Sequence, residues 1–237
     1  MRCRQCGANV KYSKKNVECI RCGAKIYLLE GKTNIKANTS LGEKIFDFPY
    51  LYNLKIRLLN YLNRLQISID PLIKKKVILD IGCGSYQRRY NPHLAKFRVG
   101  IDPSVKALQV GQQLYPDSFH LVASADKLPF KNNSFDVTLL LFTLHHLNNK
   151  QWNNAFKEAQ RVSREAIIIF DHISNESIVP RNLQKIYWKI FDGGETYPNT
   201  LEWKQALRDF KVKKYFRFGS LFKQICFYYL QPKKRNL

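Results

Sequence analysis

From residue 77 onward, short unbroken apolar runs recur: Val77–Ile81, Phe97–Ile101, Phe119–Val122, Phe135–Phe142 and Ala166–Phe170. Continuous rather than alternating hydrophobicity is the mark of strands buried on both faces. Between them, apolar residues at helical spacing predict helices over Val105–Leu114 and Gln151–Arg164. Strand–helix alternation of this kind predicts a parallel sheet covered by helices on both sides. Val212–Phe218 and Gln224–Leu230 break the rhythm, since only a short turn separates them, and they read as an antiparallel pair. Upstream, Phe46, Phe48, Leu51, Leu54, Leu58, Tyr61, Leu62 and Leu65 outline an amphipathic helix over 43–67, broken near Pro49. Residues 171–200 also interrupt the alternation; with Tyr187, Trp188 and Phe191 before Asp192-Gly193-Gly194, they read as a substrate-selecting lid.

In open parallel sheets ligands lie beyond the carboxyl ends of the strands. The chemistry of this chain gathers at those ends. Val77–Ile81 runs into Asp80-Ile81-Gly82-Cys83-Gly84, and Asp102 closes the next strand. Glycines at 82 and 84 remove side chains that would block a ligand's approach to the backbone. An acid ending the second strand can accept both hydroxyls of a ribose. A dinucleotide turn would place its third glycine where Gln87 stands, and no Gly-Lys-Ser/Thr phosphate loop is present. NAD and ATP fit poorly.

With Val-Gly-Ile-Asp-Pro-Ser (99–104), Ala-Ser-Ala-Asp-Lys-Leu-Pro-Phe (123–130), Asn-Ser-Phe-Asp-Val (133–137), Leu-His-His-Leu (144–147) and Glu-Ala-Gln-Arg-Val (158–162), the chain resembles the class I S-adenosylmethionine-dependent methyltransferases over roughly residues 70–230. The resemblance implies an α/β, Rossmann-like fold: a mostly parallel seven-stranded sheet with a C-terminal antiparallel hairpin. It implies that Asp80, Gly82, Cys83 and Gly84 wall the methionine end of S-adenosylmethionine. Asp102, followed by Pro103, would take the ribose hydroxyls. Ala125, Asp126 and Lys127 would read the adenine, with Leu128 and Phe142 in apolar contact. Where this group has a further glycine the chain has Tyr86, which would narrow the turn; Arg88 and Arg89 follow, suited to an anionic group. His145 and His146 follow the fourth strand, and His172 follows the fifth beside Asp171. Imidazole suits a general base near neutral pH; of the pair, His146 is the better candidate, with buttressing of the loop as the alternative role for either.

Cys3-x-x-Cys6-Gly and Cys19-x-x-Cys22-Gly are two knuckles twelve residues apart, the spacing of a tetrahedral structural zinc site; a rubredoxin-type iron site has the same ligands, and disulfides are the competing reading, disfavoured by this spacing. About thirty residues cannot bury a core, so Zn²⁺ would supply most of this unit's folding energy. The expected organisation is a zinc ribbon over 1–28, a linker and amphipathic helix over 29–72, and a methyltransferase domain over 73–237. A net charge of +22 is concentrated at the ends: nine basic against two acidic residues in 1–40, and ten against Asp209 alone in 203–237. Such excess favours RNA or an anionic membrane face, or reflects only a basic surface composition. Neither a signal-peptide pattern nor a membrane-length apolar run occurs, so the expected setting is soluble and cytoplasmic. The Asn/Asp/Ser-Pro-Pro-aromatic motif of amino-directed nucleic-acid enzymes is absent; Leu140-Leu141-Phe142-Thr143 stands there. Three readings follow. The first is methyl transfer to a small or lipid-like acceptor, the second methyl transfer to RNA gripped by ribbon and tail, and the third a non-catalytic binding module.

Overall fold

Seven strands form one sheet in the order β6-β5-β4-β7-β8-β10-β9. They are β4 (Val77–Ile81), β5 (Phe97–Asp102), β6 (Phe119–Val122), β7 (Phe135–Leu141), β8 (Ser163–His172), β9 (Lys211–Gly219) and β10 (Gln224–Gln231). The first five are parallel, and β10 runs antiparallel to both β8 and β9. The computed structural model describes residues 10–12, 16–19, 25–27, 68–85, 90–115, 118–191, 193–219 and 224–233, with backbone only for the first three segments and for 178–180, 187, 190 and 191. β1 (Val10–Tyr12), β2 (Asn16–Cys19) and β3 (Lys25–Tyr27) make a separate antiparallel sheet, with Val10 opposite Cys19 and Asn16 opposite Tyr27. Cys19 ends β2; Cys3, Cys6, Cys22, the helix expected over 43–67, and Tyr86, Arg88 and Arg89 lie outside the described residues. No helix among the described residues is long and apolar enough to cross a membrane.

Apolar burial holds the large sheet. Leu140, Ile167, Ile169, Tyr228 and Leu230 face one side, packed with Trp152, Ala155, Phe156 and Ala159 of α3 (Asn149–Val162). Ile78, Leu139, Leu141, Ile168, Phe170 and Phe227 face the other. Each such side chain contributes about 1.5–3 kcal/mol when fully buried, more than any exposed ion pair can add.

The helix expected over Gln151–Arg164 is shifted towards the amino end. Asn148 caps it by accepting from the amides of Lys150 (3.1 Å) and Gln151 (3.0 Å), while the Gln151 side chain accepts from the Asn148 amide at 3.2 Å. It stops at Val162 because Ser163 already pairs with Phe135 as the first residue of β8. The Ser163 hydroxyl lies 2.6 Å from both the Ala159 carbonyl and the Thr138 hydroxyl, fixing the switch from helix to strand. Residues 171–200, expected as an irregular lid, contain α4 (Ile178–Phe191) and the start of α5 (Thr200–Ala206), itself capped reciprocally by Asn199 and Glu202.

A buried polar cluster links β4 to β5. Arg98 on β5 donates from Nη2 to Asp80 Oδ2 on β4 at 2.9 Å and from Nε to the Tyr90 hydroxyl at 2.8 Å; that hydroxyl donates to the same Asp80 oxygen at 2.5 Å. Burial works against the Arg98 charge, yet the Tyr90 oxygen and the Asp80 carboxylate beside it raise its hold on the proton. Removing one member of a buried pair leaves the other charge without compensation. Arg98→Met is therefore expected to lower unfolding free energy by about 3–5 kcal/mol in urea titrations; a loss below about 1 kcal/mol would contradict this role.

Candidate functional site

The turn after β4 is built from two glycines with different duties. Gly82 has φ +68°, and a Cβ there would overlap the Thr143 side chain. Thr143 sits there because its hydroxyl donates to the Ile81 carbonyl at 2.8 Å. Gly82 is thus demanded by the protein's own packing. Gly84 is different: φ is +55°, and a Cβ would meet nothing within 4 Å among the described residues. Among the described residues, then, the open position in this turn is at Gly84.

Cys83 gives the site its backbone only. Its amide donates to the Ile101 carbonyl at 2.9 Å, and its thiol turns inward over Gly100, where an added Cβ would come within 2.7 Å of the sulfur. Burial pushes that thiol well above its ordinary pKa, so it stays protonated.

Asp102 bridges the ends of two strands. Its Oδ2 accepts from the Gly84 amide at 2.9 Å and its Oδ1 from the Ser104 amide at 2.9 Å. Ser104 in turn caps α2 (Val105–Leu114), its hydroxyl accepting from the Ala107 amide at 3.2 Å. Burial pushes Asp102 up to about 6, against the pull of the two amides. Pro103 between these residues is exposed. Each carboxylate oxygen keeps acceptor capacity beyond its one amide. Asp80 lies on the same face of the sheet; its Oδ2 is taken by Arg98 and Tyr90, while its Oδ1 is buried with no hydrogen-bond partner among the described residues.

The loop after β6 lies beside this hollow. Ser124 donates to Asp126, which is half-buried, between buried Ala125 and exposed Lys127. Two α3 residues hold the next stretch. Glu158 accepts from the Leu128 amide at 2.7 Å; Arg161 is bound to Glu158 at 2.6 Å and donates to the carbonyls of Phe130 (2.6 Å) and Leu128 (3.1 Å). This clip fixes where Asp126 stands. In the sequence Glu158 and Arg161 served only as a landmark; their charges, three apart on the apolar helix, were the available signal. Arg98, a lone cation inside an apolar strand, signalled a buried partner in the same way.

At the ends of β7 and β8 an aromatic wall forms. Phe142, expected as the last residue of β7, instead takes φ +58°, its amide donating to the Phe170 carbonyl at 2.7 Å. Its ring packs on His172, 5.4 Å between centroids. His145 is 2 % exposed; its Nδ1 lies 2.6 Å from Asp171 Oδ1, while Asp171 also accepts from the amides of Leu144 (2.8 Å) and His172 (2.7 Å). Burial opposes the Asp171 charge, but the His145 imidazole and these donors hold its carboxyl below the usual range. The His145 carbonyl accepts from the amides of Glu195 (2.7 Å) and Thr196 (3.0 Å), so this residue fastens the segment before α5. Trp188 and Tyr197 stack at 4.8 Å behind it. His146 is half-buried, its ring 4.0 Å from that of His145.

A nucleoside held by Asp102 needs the carboxylate charged. Affinity for S-adenosylhomocysteine is expected to be flat above pH 7 and about tenfold weaker at pH 5, from an acid titrating near 6. Asp102→Asn should weaken binding roughly 10–100-fold and abolish that dependence; calorimetry across pH reads both, and an unchanged profile in the variant would reject the assignment. If Asp126 reads the adenine amino group as the sequence implies, Glu158→Gln should erode the preference for S-adenosylhomocysteine over its hypoxanthine analogue; a preserved preference would leave the clip without that role.

Residues 79–170 match the family model described as a methyltransferase domain. An uncharacterized protein of Methanocaldococcus jannaschii is 28% identical over 149 residues, 55% of this chain and 57% of that protein, so the chain spans little more than half of this curated relative. Among solved structures, a SAM-dependent methyltransferase of Thermotoga maritima superposes with a TM-score of 0.59 at 21% identity, covering 81% of this chain and 98% of that one. Magnesium protoporphyrin IX methyltransferase of Synechocystis with bound SAH gives 0.52 at 13% identity, covering 84% and 90%. At these identities the two structures speak for the fold. Over residues 79–170 the chain is similar to the methyltransferase-domain family, and its seven-stranded sheet shares the fold of these two structures.

Proposed function

We propose that the chain transfers a methyl group from S-adenosylmethionine to an acceptor whose reacting group is flat or apolar. The observation that carries this reading is Asp102 at the end of β5, whose carboxylate holds the Gly84 amide with acceptor capacity to spare, beside a Gly84 whose Cβ position is open among the described residues; on the same sheet face Asp80 Oδ1 is buried without a hydrogen-bond partner among them. An uncompensated buried carboxylate oxygen is costly, and an amine there would satisfy it. In this reading Asp80 and the backbone of Gly82–Gly84 hold the methionine end, and Asp102 and Pro103 hold the ribose. Ala125, Asp126 and Lys127 read the adenine.

S-adenosylmethionine supplies an electrophilic methyl group, so alignment and exclusion of water are the protein's main tasks. Phe142 and His146 form the accessible front of the aromatic wall, which supports an aromatic, small or lipid-like acceptor. His146 is the group able to take a proton from it. His145 is enclosed and pinned by Asp171, which fits positioning of the wall. A second reading, an RNA base as acceptor, is favoured by the basic strand β9. The third reading, a binding module without chemistry, has no separate observation in its favour.

We also infer that Cys3, Cys6, Cys19 and Cys22 bind a structural Zn²⁺, on the strength of the paired knuckles; the β1–β2 hairpin spans the residues between them. Metal analysis of the purified chain should return one zinc per molecule, lost on Cys19→Ser.

Labelled methyl from S-adenosylmethionine, offered with lipid, RNA, protein and small-molecule fractions, identifies the acceptor class. If the acceptor must lose a proton, His146→Gln should lower kcat about 100-fold or more with unchanged cofactor affinity. An unchanged kcat would remove His146 as the base.

A further inference from the structure

β9 is the outermost strand of the sheet and is exposed along nearly its whole length. It reads Lys-Val-Lys-Lys-Tyr-Phe-Arg-Phe-Gly, and no acidic residue occurs between Phe210 and Leu237. Val212, Tyr215 and Phe216 are all exposed apolar side chains on it. Tyr215 lies opposite Tyr228 and stacks on it at 4.7 Å, while Phe216 lies opposite Phe227 on the other face. Arg217 lies on the face of Tyr215, about 6.7 Å along the strand at its regular rise, and Lys213 precedes Tyr215 where the pairing with β10 shifts register.

Three partners could cover such an edge, and the arrangement favours one. A second copy pairing strand to strand would set Lys and Arg against Lys and Arg, which is repulsive. A membrane takes up apolar side chains that point one way, whereas Tyr215 and Phe216 project from opposite faces. A linear polyanion with flat bases suits a line of cations interleaved with aromatic rings. Position supports the same partner. Phe218, Ile225 and His172 form one row across β9, β10 and β8. The upper end of β9 is therefore only two strand spacings, about 10 Å, from the aromatic wall.

We infer that β9 is a docking strand for single-stranded RNA, with Lys211, Lys213 and Lys214 on phosphates and Tyr215 under a base, and that the bound strand is presented to the acceptor end of the sheet. The second part rests on the RNA reading of the site; the docking surface does not.

The test is fluorescence anisotropy of the full chain with a labelled single-stranded RNA of about twelve nucleotides over a range of salt. Each phosphate contact adds about 0.7 to the slope of log affinity against log salt. The triple variant K211A/K213A/K214A should lose about two units of slope. Tyr215→Ala should weaken binding about 5–100-fold with the slope unchanged. RNA affinity and slope indifferent to both variants would overturn the surface. So would phosphatidylserine vesicles, or an acidic peptide, binding more tightly than RNA through the same residues. S-adenosylhomocysteine calorimetry on the wild type separates the two claims. RNA binding through β9 without cofactor heat would keep the docking surface and remove the site reading. Cofactor heat with RNA affinity indifferent to the substitutions would remove the docking surface alone.

Discussion

A single carboxylate organises the cofactor end of this domain. Asp102 stands where β5 stops and reaches across to the amide of Gly84, beyond the end of β4, while holding the Ser104 amide that opens α2. Three elements are fixed by two oxygens. The grip holds the Gly84 turn in its left-handed conformation, which a side chain would strain, and keeps the space above it clear. The cost of partly burying the charge shows in an acid whose pKa has risen to about 6. Ligand hydroxyls donating to it would offset that cost, so the site is prepared for what it binds.

Behind Asp102 a dry triad keeps the strands in register. Arg98, Asp80 and Tyr90 meet at a level where the neighbouring side chains are apolar. Such a pair adds little net stability against an apolar replacement, because both charges are desolvated. What it provides is direction: one Asp80 oxygen is committed, and the other is buried without a hydrogen-bond partner among the described residues. Asp171 does the same at the far end of the site, tying the His145 ring and the amides that start the next turn. In both places a buried acid turns strand ends into a rigid wall.

Much of this was legible in the chain. Unbroken apolar runs located the five parallel strands of the large sheet, the short turn between Val212–Phe218 and Gln224–Leu230 marked its antiparallel pair, and Asp-x-Gly-Cys-Gly with Asp102 located its carboxyl edge, because burial on both faces and a glycine turn leave direct compositional marks. The rest depends on contacts between residues distant in sequence. That Gly82 answers to Thr143 needs the 62-residue link from Thr143 to Ile81. That Ser163 begins a strand needs Phe135 and Thr138 beside it. The exposure of β9 was equally hidden, since Lys-Val-Lys-Lys-Tyr-Phe-Arg-Phe reads as a strand whether it lies inside a sheet or at its rim. The helices within 171–200 were masked by the Gly-Gly and Pro residues around them.

The site and the basic rim share one sheet, with Asp102 at the end of β5 and β9 at the far edge, beyond β4, β7, β8 and β10. The account rests on a nucleoside lying over Gly84 with its ribose on Asp102. A crystal structure of the chain with S-adenosylhomocysteine tests this directly. The account predicts both ribose hydroxyls within hydrogen-bonding distance of the Asp102 carboxylate and the amine facing Asp80. A ligand bound elsewhere, with the space over Gly84 empty, would contradict it.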